Sequence, residues 1–287
     1  MSSCETILVL EPKSPLMDIE QSLRTTYKKD LFNPFVKAIN EYNLLEPGDK
    51  VAVGISGGKD SLVLAKLFQE LQRHQKFPFE LVFLSMDPGF REENKDLLTT
   101  NCTYLNIPLE IRNSNIFKVV GNIAKENPCY MCARMRRGFL YQQAKELGCN
   151  KLALAHHFDD VIETTLLNMF YNGTFKTMVP KVEAENFEGI ELIRPLFLVK
   201  EKDIIRWIKK SGIQAMNCGC TVVAEKTSSK RREIKALIET LRVQNPMVDH
   251  FIFTATKNVN LDAILGYYKD QEKVDYNQIY EKRRKKT

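Results

Sequence analysis

The sequence predicts an α/β fold: a parallel sheet with helices on both faces, flanked by helical segments at the N- and C-terminal ends. Three observations carry this expectation. Short apolar runs alternate with amphipathic helical stretches over most of the chain, the connections between them are brief, and a glycine-rich turn joins the first such run to the helix after it. Strands buried on both faces read as continuous apolar runs, and each needs a crossover to return the chain to the same edge.

Residues 15–45 carry the N-terminal helical pattern, with Leu31, Phe35, Ala38, Ile39 and Tyr42 at spacings of three and four and Pro34 suited to a helix start. Pro47-Gly48-Asp49 ends it. Lys50–Ile55 is the first strand, residues 56–60 form the turn, and Leu62, Leu64, Ala65, Leu67, Phe68 and Leu71 mark the helix that follows. Glu80–Met86 and Leu109–Arg112 read as strands on either side of a helix at 91–104. Residues 133–147 read as a helix beginning near Arg134, Leu152–Ala155 as a strand, 159–171 as a helix, Glu191–Leu196 as a weaker strand and 200–210 as a helix. From about residue 227 the pattern is mostly helical. The expected organisation is a helical segment over 1–45, an α/β body over 46–225, and a helical segment with a basic tail over 226–287.

Composition narrows the class. The chain has 287 residues, 44% hydrophobic and 27% charged, an ordinary globular profile. No apolar run approaches the ~18 residues of a membrane helix, and the N-terminal stretch lacks a basic region feeding a long apolar segment. The expectation is a cytoplasmic protein without a membrane partner. Net charge is +6, and Lys282 to Lys286 supply five of those positives, so the body is nearly neutral and the tail is a candidate polyanion handle. Seven unevenly spaced cysteines do not make a disulfide scaffold; clustered cysteines in a reducing compartment point to metal or redox chemistry.

The turn Ser56-Gly57-Gly58-Lys59-Asp60-Ser61 lies past the carboxyl end of a strand and opens a helix, where α/β sheets bind ligands. Glycines let backbone N–H groups approach an anion, the helix dipole favours phosphate, and Ser56, Ser61 and Lys59 add donors. The spacing is neither a Walker A loop nor a dinucleotide fingerprint. Cys129-Tyr130-Met131-Cys132 is a C-x-x-C, and Cys218-Gly219-Cys220 lies far downstream. Four thiolates suit a tetrahedral zinc site, and three suit an iron–sulfur cluster with one iron left open. His156-His157-Phe158-Asp159-Asp160 opens another helix after a strand. Asp159 is the expected cap of that helix, which leaves Asp160 to face the turn across the sheet edge. Cys102 and Cys149 fit small core positions.

SGGKDS resembles the pyrophosphate loop of the PP-loop ATPases, which cleave ATP between the α- and β-phosphates to adenylate a substrate. Cys129–Lys181, with Arg134-Met-Arg136-Arg137, His156 to Asp160, Glu163-Thr164 and Asn168 to Tyr171, resembles the tRNA 2-thiocytidine synthetase (TtcA-type) family, related to the tRNA thiouridine synthetases. Arg194-Pro195-Leu196 and Glu201-Lys202-Asp203-Ile204 extend the match, which covers about 45–240. One departure is Thr221–Ser229, which lacks the family's second cysteine and its Gly-Ser-Gln.

The resemblance implies that Ser56, Gly57, Gly58, Lys59, Asp60 and Ser61 bind ATP, that Met86 and Asp87 contact its adenosine, and that Asp60 holds Mg²⁺. It gives Asp160 metal or substrate handling and places Arg136 near the α-phosphate or RNA. It assigns a [4Fe–4S] cluster to Cys129 and Cys132 with Cys220, the third ligand being placed by laying Arg231-Arg232-Glu233-Ile234-Lys235 on the family's equivalent helix, with Cys218 as the fallback. The implied activity is ATP-dependent sulfur transfer to a pyrimidine C2 in the tRNA anticodon loop, cytidine 32 being the expected target. The implied partners are tRNA, gripped in part by Lys230-Arg231-Arg232, and a cysteine desulfurase or other sulfide donor; a homodimer is left open. The rival readings are a tRNA 2-thiouridine synthetase, a cluster-free PP-loop ligase or amidotransferase, and a zinc-stabilised RNA-binding module.

Overall fold

A computed structural model of the chain describes residues 13–74, 77–114, 116, 128–216, 228–270 and 272–284. Its centre is a six-stranded sheet in the order β3-β2-β1-β4-β6-β5. The strands are β1 (Lys50–Gly54), β2 (Glu80–Asp87), β3 (Leu109–Asn113), β4 (Lys151–Ala153), β5 (Lys181–Glu183) and β6 (Glu191–Ile193). All pairings are parallel except that of the edge strand β5 with β6. Because β1 is followed by β2 on one side and paired with β4 on the other, the strand order reverses between β1 and β4. Ligand crevices of open α/β sheets form at such a switch point, outside the carboxyl ends of the strands.

Helices cover both faces. On one side α3 (Lys59–Arg73), α4 (Glu92–Tyr104) and α7 (Glu201–Ser211) pack over the main core; on the other, α5 (Pro128–Glu146) covers Ala52, Leu152 and Leu192 with Tyr141 and Ala144. Helix α6 (Phe158–Asn172) follows β4, and α8 (Ser228–Gln244) and α9 (Val248–Lys257) pack against it. The N-terminal helical stretch is three pieces: α1 (Leu16–Arg24), a π-helical turn Lys28–Phe32, and α2 (Asn33–Glu41) with Pro34 in its first turn. Ile19, Leu23, Leu31 and Phe35 from these pieces enter the same buried cluster as Trp207 and Phe253. Their burial is worth roughly 6–12 kcal/mol together, comparable with the whole net stability of a typical domain, about 5–15 kcal/mol. This stretch is integral to the core.

The structure departs from the expected elements in three places. Helix α5 begins at Pro128, six residues before Arg134, because a proline at the first helical position loses no hydrogen bond; the C-x-x-C therefore lies on the helix's first turn instead of preceding it. Strand β5, with one apolar residue in three and solvent on its outer edge, has no pattern to announce it. In the C-terminal segment a hairpin of β7 (Gly266–Lys269) and β8 (Glu272–Asp275) interrupts the helices before α10 (Tyr276–Arg284). Its turn uses Asp270 at φ +49° rather than an Asn-Gly pair, so the usual hairpin signal is missing. Among the described residues no helix is long and apolar enough to cross a membrane.

Candidate active site

The turn is built where β1 gives way to α3. Gly57 sits at φ +79°, and a Cβ there would lie 2.2 Å from the Met216 sulfur, so both conformation and space demand glycine. The Met216 N–H donates to the Gly57 carbonyl at 2.9 Å, tying the chain after α7 to the lip of the turn. The Ser61 hydroxyl donates to the Gly58 carbonyl at 2.9 Å and accepts from the Ser56 N–H at 3.2 Å. The loop is thus braced by its own serines before any ligand arrives, and the first-turn N–H groups of α3 remain the anion-binding donors of a helix start.

A cleft of about 410 Å³ opens beside this turn. Ser56, Asp60, Ser61 and Met86 line it from the β1 and β2 side, Arg136 and Arg137 from α5, His156 and Asp160 from the end of β4, and Arg231 from α8. Gly57, Gly58, Lys59 and Asp87 do not line it. Lys59 turns aside, its Nζ 3.1 Å from Asp60 Oδ2 and 3.0 Å from Glu201 Oε1. Burial works against the Lys59 charge, but Asp60 and Glu201 outweigh it and raise the lysine's pKa. Asp87 closes a turn instead: its Oδ1 accepts the N–H groups of Gly89 and Phe90 at 2.8 and 2.7 Å.

The expected helix cap is also redistributed. The N-cap of α6 is His157, whose Nδ1 accepts the Asp160 N–H, while Asp160 Oδ2 accepts the His157 N–H at 3.0 Å. Asp159 caps a different helix: its Oδ2 accepts the Glu201 N–H at the start of α7 at 2.7 Å, and its Oδ1 takes Arg242. Asp160 is therefore not free, since its second oxygen, Oδ1, accepts from Arg231 at 2.8 Å. Burial pushes the Asp160 pKa up, and His157 and Arg231 more than reverse it, so the carboxylate is held ionised. The other ring nitrogen of His157, Nε2, lies 3.8 Å from Asp60 Oδ1.

Asp60 Oδ1 is buried and has no hydrogen-bond partner in the protein, which is the condition of an acceptor waiting for a cation or a proton donor. His156 forms a neutral wall: burial, aided by Arg194, Arg231 and Arg137, lowers its pKa to about 4. Arg194, likewise buried, has its pKa pushed down to about 10 by desolvation and then by Arg137. The cleft is thus ringed by guanidinium groups around two carboxylates, an arrangement that suits a polyanion accompanied by a divalent ion. Among the described residues no three His, Cys, Asp or Glu side chains converge as a metal cage; Mg²⁺ usually takes only one or two carboxylates and completes its shell with phosphate and water.

The cysteines divide. Cys102 and Cys149 are core residues whose thiols burial pushes up to about 12 and about 11, far from reactive. Cys129 and Cys132 occupy the first turn of α5, and Arg136, one turn beyond Cys132, lines the cleft. Cys218 and Cys220 lie outside the described residues. In the described chain on either side of them, Met216 is bonded to the Gly57 carbonyl of the turn and Arg231 to Asp160 in the cleft.

Sequence reasoning missed three contributors. Arg231, grouped with Lys230 and Arg232 as an RNA contact, is turned into the cleft. Glu163 holds Arg231 Nε at 2.8 Å, and Glu201 pairs Lys59 on one oxygen and Lys235 on the other, the latter at 2.6 Å. Burial raises the Glu201 pKa, but Lys59 and Lys235 bring it down to about 2. Its contribution to stability is therefore complete above pH 4.5 and lost as pH falls toward 2. Glu201→Gln is expected to flatten that part of the acid limb, so that its Tm falls less between pH 4.5 and the acid limit than the parent's.

Comparison with known proteins agrees with this geometry. A family model described as a PP-loop domain matches residues 24–217. The tRNA-cytidine(32) 2-sulfurtransferase of Citrifermentans bemidjiense is 37% identical over 227 residues, covering 78% of this chain and 88% of that protein. The protein of the same name from Neisseria meningitidis serogroup C is 39% identical over 227 residues, covering 77% and 69%. Among solved structures, the U34-tRNA thiolase NcsA from Methanococcus maripaludis, described with its [4Fe–4S] cluster, superposes with a TM-score of 0.65 at 24% identity over 83% of this chain and 80% of that one; this likeness carries the fold. With its braced glycine turn at the switch point of the sheet and relatives of this similarity along most of its length, the chain belongs to the PP-loop ATPases and, within them, to the tRNA-cytidine(32) 2-sulfurtransferase family.

Proposed function

We propose that this protein is an ATP-dependent tRNA sulfurtransferase that converts cytidine 32 of the anticodon loop to 2-thiocytidine, residues 46–225 forming its catalytic body. The observation that carries the reading is the meeting of Ser56, Asp60, Ser61, Asp160 and Arg136 on one cleft, Arg136 standing about one helical turn beyond Cys132 in sequence. The relatives' names supply the substrate, tRNA, and the base.

A pyrimidine C2 oxygen is a poor leaving group, so it must be activated before sulfur can replace it. The oxygen attacks the α-phosphorus of ATP, the bond to the β-phosphate oxygen breaks, and pyrophosphate departs. Sulfide, as HS⁻, then adds at C2 through a sulfur lone pair, the carbon–oxygen bond breaks with AMP carrying the oxygen away, and the sulfide proton is released to solvent. In the first step the N–H groups at the start of α3, Ser56 and Ser61 hold the phosphates, and Arg136 balances charge growing near the α-phosphate. Met86 closes the apolar end of the cleft. Mg²⁺ fits Asp60, whose Oδ1 lacks a partner; it would neutralise phosphate charge there. An unpaired loop base is the form of RNA that can be splayed into such a pocket.

The cysteines fit an iron–sulfur centre by donor type, since two thiols one helical turn apart and a third from the 217–227 stretch give soft ligands with no carboxylate among them. A [4Fe–4S] cluster held by Cys129, Cys132 and Cys220 would supply, when bound, an open Lewis-acidic iron for sulfide, either free or released from a cysteine desulfurase's persulfide by a two-electron thiol reductant. The direct test follows the nucleotide: purified protein given ATP, sulfide and tRNA releases AMP and pyrophosphate in step with thiolation. Release of ADP and phosphate instead would overturn the adenylation chemistry.

A further inference from the structure

Helix α8 is fastened to the cleft by charge. Arg231, Lys235 and Arg242 stand at positions i, i+4 and i+11, within a sector of about 40° at 100° per residue. Together they reach acids at the starts of three other helices: Arg231 takes Asp160 and Glu163 on α6, Lys235 takes Glu201 on α7, and Arg242 takes Asp159 on α6 and Asp249 on α9. Ile234 and Ile238 bury the remaining contact face. Lys235 and Arg242 do not line the cleft, whereas Arg231 does, with its side chain 47% exposed. Its two bonds differ in kind. Nε is fixed to the buried Glu163, while the terminal nitrogen takes the one oxygen of Asp160 that the capping box leaves available.

We propose that Arg231 is a nucleotide-contacting residue that exchanges partners: its terminal nitrogens leave Asp160 for the phosphates of bound ATP while Nε stays on Glu163, and the move uncovers Asp160 Oδ1 for the accompanying divalent cation. The proposal rests on the reading of this cleft as an ATP site. Phosphate competes well for a guanidinium because it offers parallel acceptors to the planar fork, and a carboxylate that loses the arginine gains the cation in its place. Glu163 acts here as a positioning residue, keeping the arm of Arg231 in place through the exchange. The exchange also explains how Asp160, both of whose oxygens are engaged in the free protein, becomes able to take part in catalysis.

The test titrates the full-length protein with ATP and separately with adenosine, without divalent cation, by calorimetry. Arg231→Ala is expected to weaken ATP at least about tenfold, the loss of one charge-assisted contact, and to leave adenosine unchanged. Arg231→Lys keeps a counter-charge for Asp160 and Glu163 and so guards against misfolding; it is expected to weaken ATP severalfold with a Tm close to the parent's. A second readout follows Mn²⁺ by electron paramagnetic resonance in the absence of nucleotide. Arg231→Ala should bind Mn²⁺ more tightly than the parent, and adding Asp160→Asn should abolish the gain. Unchanged ATP affinity in both variants, an equal loss of adenosine, or a Mn²⁺ gain that survives Asp160→Asn overturns the exchange. If the parent protein itself binds adenosine and ATP equally weakly, the ATP reading of the cleft falls, and this inference with it.

Discussion

Asp60→Asn is expected to reduce tRNA thiolation by about 10³-fold or more while leaving the protein folded. Asparagine keeps the shape of the side chain but removes the charge from the one carboxylate of the glycine turn, whose Oδ1 is buried and unpartnered. Losing a cation's stabilisation of the departing pyrophosphate is worth several kcal/mol, and each 1.36 kcal/mol of barrier is about tenfold in rate. The structural cost is small. Asp60 Oδ2 gives up Lys59, but both side chains are about a quarter exposed and Lys59 retains Glu201, so no more than about 1 kcal/mol is at stake. Single-turnover thiolation beside a thermal melt separates the two effects. A variant within tenfold of the parent rate would remove Asp60 from the chemistry.

The second large effect concerns the cysteines. Cys220→Ala, purified without air, is expected to lose thiolation altogether and to lose bound iron and its visible absorbance, while binding ATP as the parent does. Cys129→Ala and Cys132→Ala should behave alike, because three thiolates hold one centre and none is dispensable. Cys218→Ala is the discriminating control: it should retain iron and activity. If the roles of Cys218 and Cys220 are reversed, the third ligand moves by two residues and the rest of the scheme stands. If every variant keeps full activity, sulfur transfer does not pass through these residues. Zinc in place of iron would favour a structural site. The ATP arm matters because the nucleotide side of the cleft draws on β1, β4 and α3, which none of these residues joins.

Why some of this was legible in the sequence and some was not follows from range. Strands β1, β2 and β4 were readable because each carries a buried apolar stretch next to turn residues, and the turn at 56–61 was readable because its glycines and serines act on one another within six residues. The convergence of Asp60 with Asp160 follows from the strand order, which places the ends of β1 and β4 side by side. What the sequence conceals is pairing across long separations. Lys59 belongs by motif to the phosphate loop, yet Glu201, 142 positions later, holds it outside the cleft in the free protein. Asp159 and Asp160 look like a cap and a spare acid; the exchange of their roles depends on where α7 and α8 arrive. Arg231 sits in a basic trio that reads as a grip on RNA phosphates, and nothing nearby in sequence distinguishes the one that turns inward. The hairpin β7–β8 failed for a local reason, a turn built on Asp270 without glycine.

On the proposed function, one cleft activates a tRNA base with ATP so that sulfur can replace its C2 oxygen. Mass spectrometry of nucleosides from tRNA of cells with and without the gene tests it most directly. 2-Thiocytidine is expected to disappear when the gene is removed and to return with the intact gene but not with the Asp60→Asn form. Undiminished 2-thiocytidine, or loss of a thiouridine in its place, would contradict it.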